Sequence, residues 1–322
     1  MKTTPDVHSR PVPARSGALV LFALFTLCGL LLVRAYPVPD LLRAYAALVL
    51  VFLLPGVALA RAWPGGLLAG WPRLLAAGLP LSLLLCWLAG WTGRLLGWDP
   101  LGVGAGFLFV VFVLCFLALL RAERSQAATV PRYPVLLAVL AVGILLGGYL
   151  GAPTGPATDG PDHIAAANAM LREGTVRSVD ALTPLGAVDR PDPRKGSAHL
   201  GLAMASALAG LPPDRLWVRL PSVLVVGWLA ALAALGLSLG WTPRRIALVL
   251  VLALALTGGF AGPWIAKLGY GAHLGMVAAL ATVAALLDPR PATTRQRGVL
   301  AGLLLAGGAA VHPMTPAFVI WP

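Results

Sequence analysis

The chain has 322 residues, 59% of them hydrophobic and only 11% charged, with a mean hydropathy of +0.86. Soluble domains carry about 25% charged residues, so a string of soluble domains is excluded and one polytopic membrane unit is expected. The formal net charge of +12 comes from basic residues scattered singly at the ends of apolar runs, with no basic stripe among aromatics, which argues against nucleic acid as a partner.

In chain order, the residues before Gly17 form a basic leader, followed by an apolar run to Val33. The run is long and no small-x-small cleavage site follows it, so it reads as a retained first span rather than a signal peptide. Runs of close to 20 apolar residues cross about 30 Å of hydrocarbon. Such runs fall at 17–35, 41–60, 74–91, 101–120 and 134–152, then at 218–239, 246–262, 271–287 and 298–318. Pro55 and Pro80 are expected to break their spans. Cys28, Cys86 and Cys115 all lie in apolar runs and read as small hydrophobes; neither a disulfide framework nor metal-ligand spacing is present. The expected fold is all-α, a polytopic transmembrane helical bundle of about nine spans with one long extracytoplasmic loop carrying surface helices. Its regions are 1–152 with about five spans, the loop at 153–217, and 218–322 with about four spans.

Orientation follows from the short connections. With a cytoplasmic N-terminus, thirteen basic residues fall inside and only Arg34, Arg43, Arg94 and Lys267 fall in the short outer loops. Positive residues favour the inside, so the long loop is expected outside, on a bacterial plasma membrane. That loop holds seven of the twelve acids (Asp159, Asp162, Glu173, Asp180, Asp189, Asp192 and Asp214), balanced by seven basic residues when the polar segment is followed to Arg219. Carboxylates are costly in hydrocarbon and collect where water reaches. The histidines follow the same asymmetry. His163 and His199 lie in the loop, and His273 begins the eighth span near its outer end. His312 lies about 15 residues beyond Arg297, ~22 Å along an outward-running helix. Titratable groups gathered on one face suit a surface site.

Within the loop, Asp162 to Glu173 reads as a helix, with Pro161 before it and Gly174 ending it. Ile164, Ala167 and Leu171 form an apolar stripe, so this helix is expected to lie along the membrane surface. Asp159 reads as an N-cap, as a base, or as a metal ligand. Asp162 reads as a second such carboxylate or as a partner of the helix dipole. Arg190, Arg194 and Lys195 are natural partners for a phosphate, or else solvated loop charge. Ser197 to Leu211 reads as an interfacial or partly inserted helix with His199 near its start. His312, before Pro313, is either a functional group in an outer leaflet or a donor to a carbonyl freed by Pro313 or Pro316.

The stretch Asp159-Gly-Pro-Asp-His-Ile-Ala-Ala-Ala-Asn-Ala-Met-Leu-Arg-Glu-Gly174 resembles the acidic-residue, His, apolar-helix, Gly pattern of the GT-C superfamily of membrane glycosyltransferases. Val311-His-Pro is similar to a stretch in later spans of bacterial members, and Phe52-Leu-Leu-Pro-Gly56 to one in actinobacterial arabinosyltransferase-like proteins. The resemblance implies a polyprenyl-phosphate-linked sugar as donor and an envelope glycan or glycolipid as acceptor, with membrane lipid around both. It implies inverting transfer with Asp159 as general base, Asp162 as second candidate and His163 as orienting or proton-sharing neighbour. Arg190, Arg194 or Lys195 would hold the donor phosphate, with His199, His273 and His312 also facing substrate. No cofactor is required, and a divalent cation at the acids is permitted. Here the acidic loop follows five spans, where many members place it after one, and the chain ends at Pro322 in or beside a span, so it reads as a fragment or a degenerate member. Two other readings stand beside this one: a non-catalytic scaffold of envelope assembly, and a lipid or solute transporter, which would place charged or broken-helix sites at the midplane. The transferase reading expects Asp159, His163, His273 and His312 around one cavity.

Overall fold

Apolar backbone out of water must bond to itself, and helices do so within one segment. A computed structural model describes residues 14–63, 68, 70–122, 134–152, 154, 160–176, 197–259, 267–312 and 315–320, and every regular element among them is a helix. The first group is α1 (Ala14–Leu32), α2 (Asp40–Phe52), α3 (Leu54–Ala62), α4 (Trp71–Leu96), α5 (Pro100–Ala122) and α6 (Pro134–Leu150). Shorter elements follow: α7 (Gly160–Glu173), α8 (Ser197–Ala209) and α9 (Pro213–Trp217). The last group is α10 (Leu220–Ser238), α11 (Pro243–Gly259), α12 (Gly271–Leu286), α13 (Thr294–Ala309) and α14 (Thr315–Ile320). Proline opens many of them because its missing N–H costs nothing in a first turn. Asp99 accepts the Gly102 N–H at 2.7 Å and caps α5. Thr293 and Gln296 form a reciprocal capping box on α13.

Four stretches are long and apolar enough to cross a membrane: Asp40–Ala62, Trp71–Leu96, Pro100–Arg121 and Pro213–Ser238. With the shorter apolar helices Gly17–Leu32, Ala138–Leu150, Ala198–Ala209 and Gly271–Leu286, they mark the chain as a membrane protein. Side-chain contacts sort the helix termini into two ends. At one end Arg73 of α4 meets Asp288 beyond α12, Ser238 of α10 donates to the Ala284 carbonyl of α12, and Arg121 of α5 donates to the Ala62 carbonyl of α3. At the other end Asp40 of α2 meets Arg215 of α9, Arg34 donates to the Ala207 carbonyl of α8, and Gly271 lies against Val311 and His312. The long helices therefore run antiparallel between an Asp288 end and an α7–α9 end.

Helices in lipid gain little from burying apolar surface against one another, so close packing by small residues holds them. Gly56 of α3 is pressed so tightly on α4 that a Cβ there would lie 1.8 Å from the Gly78 carbonyl oxygen. The Gly56 N–H is held by the buried Ser82 hydroxyl at 2.9 Å. Gly307 of α13 approaches the Pro80 carbonyl of α4 almost as closely, at 2.0 Å for a Cβ. All three cysteines are buried and free, as their apolar setting implied.

Several expectations are corrected. Pro55 does interrupt its span, between α2 and α3 at Leu53, and Cys86 Sγ donates at 3.8 Å to the Val51 carbonyl that Pro55 cannot reach. Pro80, however, sits inside α4, which runs unbroken for 26 residues. The last apolar run is not one helix to residue 318: α13 stops at Ala309, so His312 occupies the turn before α14 rather than a helical position. Of the interfacial and partly inserted readings of α8, burial within the bundle departs from the first and not from the second. Leu202, Ala203, Met204 and Ala205 are at most 1% exposed, and the helix packs inward on α2, α4, α5 and α7. Its small side chains allow this: a Cβ on Gly201 would come within 2.8 Å of the Phe52 ring.

Candidate functional site

Short helices α7, α8 and α9 gather at one end of the bundle. Helix α7 begins at Gly160, with Pro161 in its first turn, and stops before Gly174, whose φ of +60° is the left-handed conformation that glycine adopts freely. It buries Ala166, Ala167, Ala169 and Met170 and is covered by α8 and α9. Of the expected stripe, Ala167 is fully buried and Ile164 and Leu171 are half-buried against the core, and the cover by α8 and α9 replaces the surface position expected for this helix.

The inward side of α7 carries His163 to His199 of α8, with Nδ1 of the first 2.6 Å from Nε2 of the second. Their rings are 13° from parallel with centroids 4.7 Å apart. A contact that short between two nitrogens at that ring separation is edge to edge, an N–H···N bond, not one face over another. One ring donates and the other, neutral on that nitrogen, accepts. A tetrahedral ion held by both rings at ~2.0 Å would keep the nitrogens ~3.3 Å apart, so the pair as placed is a hydrogen bond and not a ligand pair. Among the described residues no group of three His, Cys, Asp or Glu side chains is gathered to hold a metal.

Aromatic rings wall this pair. Trp217 of α9, 2% exposed, stacks on His163 at 4.9 Å and 18°. Tyr270 presents its edge to both, at 5.1 Å to His163 and 5.7 Å to Trp217. Gly269 lets the chain pass the indole; a Cβ there would sit 3.0 Å from Trp217 Cη2. His273 joins through Tyr270, ring centroids 6.3 Å apart. His199 is 4% exposed and meets His163.

His312 stands apart. Gly271 and Gly275, one turn apart on α12, both face it. His273, two residues on from Gly271, projects from the helix about 200° around. His312 lies parallel to Phe318 at 6.1 Å, and its Nδ1 is buried with no hydrogen-bond partner among the described residues. Of the four residues expected around one cavity, His163 and His273 approach a common cluster and His312 lies across α12 from it. Asp159, Arg190, Arg194 and Lys195 lie outside the described residues. Asp162 is half-buried in the first turn of α7.

The outward side of α7 forms a groove of about 530 Å³. Pro161, Ile164, Ala165 and Asn168 line it at helical spacing from α7, facing Asp214, Arg215, Val218 and Arg219 at the α9–α10 junction. Arg215 Nη1 donates to Asp40 Oδ2 at 2.5 Å, both side chains being half-exposed. Arg219 donates through Nη1 to the Arg215 carbonyl, and its Nε is buried with no hydrogen-bond partner. Sequence reasoning passed over Trp217, Tyr270, Arg215 and Arg219. The one signal available was the Arg215/Arg219 spacing of four, which puts two guanidiniums on one side just before an apolar span.

Compared with models of protein families, with curated proteins and with solved structures, the chain matches none.

Proposed function

We propose that the protein is a GT-C-type membrane glycosyltransferase that moves a sugar from a polyprenyl-phosphate donor to an envelope glycan or glycolipid. In this reading the chain crosses a bacterial plasma membrane about nine times with its N-terminus in the cytoplasm, and the α7–α9 end faces outward. The observation that carries it is the position of α7, between the His163–His199 pair on one side and an arginine-lined groove on the other. An acid–base site and an anion-compatible groove on opposite sides of one short helix suit transfer from a phosphate-linked donor. The preponderance of basic residues in the connections at the Asp288 end supports the orientation.

The chemistry follows from the resemblance carried by residues 159–174. The acceptor oxygen attacks the anomeric carbon, its proton passes to Asp159, and the bond from that carbon to the phosphate oxygen breaks with inversion. The polyprenyl phosphate departs with the bonding pair. His163, held by His199, orients the acceptor or shares its proton. Substrate contact through His273 and His312 belongs to the same proposal. A divalent cation at Asp159 and Asp162 is compatible with it but plays no part in these steps.

The test is transfer from a radiolabelled polyprenyl-phosphate sugar to an envelope-derived acceptor by the purified protein in liposomes. Wild type is expected to transfer label and Asp159→Asn to lose transfer with its thermal unfolding unchanged. Transfer that survives the substitution removes Asp159 as the base. A wild-type protein inert with every polyprenyl-phosphate sugar leaves the scaffold reading in its place.

A further inference from the structure

We infer that the groove between α7 and the α9–α10 junction binds the phosphate headgroup of a membrane lipid, and that Arg219 is its main contact. The inference rests on the proposed function only for the choice of a polyprenyl phosphate as the probe. It moves the phosphate contact away from Arg190, Arg194 and Lys195 to residues whose surroundings are described.

Arg219 has five N–H donors in a fixed fork. One nitrogen, Nη1, is occupied by the Arg215 carbonyl, while Nε is buried and lacks an acceptor. Among the described residues Arg219 makes no ion pair. Buried donors are nearly always satisfied, so an orphan at the wall of a groove calls for a missing acceptor. The Nε–Nη2 edge is the fork that a phosphate takes bidentately, and Arg219 lines the groove.

Charges around the groove decide what it accepts. Arg215 and Arg219 are balanced on paper by Asp214 and Asp40. Asp40 binds Arg215 in a pair about half-exposed on both sides, and such pairs are weak and screened. Arg215 can therefore turn to a ligand at little cost. Asp214 is exposed and faces water. The rest of the wall favours a lipid over a free anion. Ile164 and Val218 supply apolar surface beside the guanidinium, and Asn168 supplies an amide. The groove also sits where apolar helix α10 begins, the level at which a headgroup meets its chain in a spanning bundle. At about 530 Å³ it admits a phosphate and the first units of a chain.

The experiment measures binding of fluorescent undecaprenyl phosphate to the purified full chain in nanodiscs of zwitterionic lipid. Saturable binding is expected in wild type, weakened tenfold or more by Arg219→Gln, less by Arg219→Lys, and a few-fold by Arg215→Gln. Unaltered thermal unfolding of each variant shows that the fold survives. Phosphatidylglycerol is expected to compete as another phosphate-bearing lipid, and inorganic phosphate is not. Equal affinity in wild type and Arg219→Gln overturns the assignment, as does full displacement by inorganic phosphate, which would make the groove an aqueous anion site. Binding without sugar transfer leaves this site standing and removes only the transferase reading. Transfer undiminished by Arg219→Gln does the reverse.

Discussion

Arg73 Nε donates to Asp288 Oδ2 at 2.7 Å across 215 residues of sequence, tying the first turn of α4 to the turn between α12 and α13. Arg290 closes on the same carboxylate through Nε at 2.9 Å and Nη2 at 2.7 Å. Arg297 holds the Asp288 and Arg290 carbonyls behind it. A carboxylate 3% exposed is thus fully ligated at the end of the bundle opposite the candidate site.

Asp288→Ala is expected to cost about 3 kcal/mol, because it strands buried guanidinium charge. Asp40→Ala, which breaks the half-exposed pair with Arg215, should cost under about 1 kcal/mol. Thermal unfolding of both variants in one detergent checks the difference; equal losses would contradict the burial argument.

The same carboxylate links stability to pH. Burial pushes the Asp288 carboxyl up, but hydrogen bonds from Arg290 and the charges of Arg73 and Arg290 outweigh it and hold the group below the usual carboxylate range. A folded pKa below the unfolded one gives stability that is complete above the unfolded value and lost as pH falls through the folded value. Wild type should therefore lose more stability than Asp288→Asn on titration from neutral pH into the acid range. Parallel curves for the two proteins would remove Asp288 from the acid response.

Gly56→Ala and Gly307→Ala should each destabilise by about 3 kcal/mol or prevent folding, since the new methyl meets backbone oxygen at 1.8 and 2.0 Å. Gly302→Ala, with nothing within 4 Å of its Cβ, should be neutral or stabilising by up to about 1 kcal/mol through helix propensity. Expression level and thermal unfolding of the three variants give the comparison.

Thr293→Ala removes one half of the capping box on α13, the hydroxyl that accepts the Gln296 N–H at 3.1 Å. A loss of about 1 kcal/mol is expected, read as a lowered unfolding temperature. Thr293→Ser should recover most of it.

His199→Phe keeps a ring of similar size and removes the nitrogen that faces His163. The proposed sugar transfer should fall at least tenfold, with stability changed by no more than about 1.5 kcal/mol, the range of one hydrogen bond. Undiminished transfer would make the pair a packing contact.

Membrane class, helical content and most helix starts were legible in the chain because they are local. Apolar runs, prolines in first turns and the helix read at Asp162 to Glu173, two residues short of the start of α7, with Gly174 behind it need no partner to be read. The gathering of histidines toward one end was also legible, from the alternation of spans and basic connections. Helix interruptions were read only in part: Pro55 breaks its span and Pro80 does not, because the outcome depends on which neighbour accepts the freed groups.

What the sequence by itself determined is a helical membrane protein with its polar chemistry concentrated around residues 153–217. Only the tertiary structure decided which of those polar groups meet. His163 finds His199, Trp217 and Tyr270 from three other segments, α8 sinks into the bundle, and Arg215 and Arg219 face α7 across a groove. Periodicity fixes which face of a helix is apolar, but in lipid apolarity does not say which neighbour that face takes. Shape does: the glycine and alanine surfaces of α7 and α8 choose their partners by how closely backbones can approach.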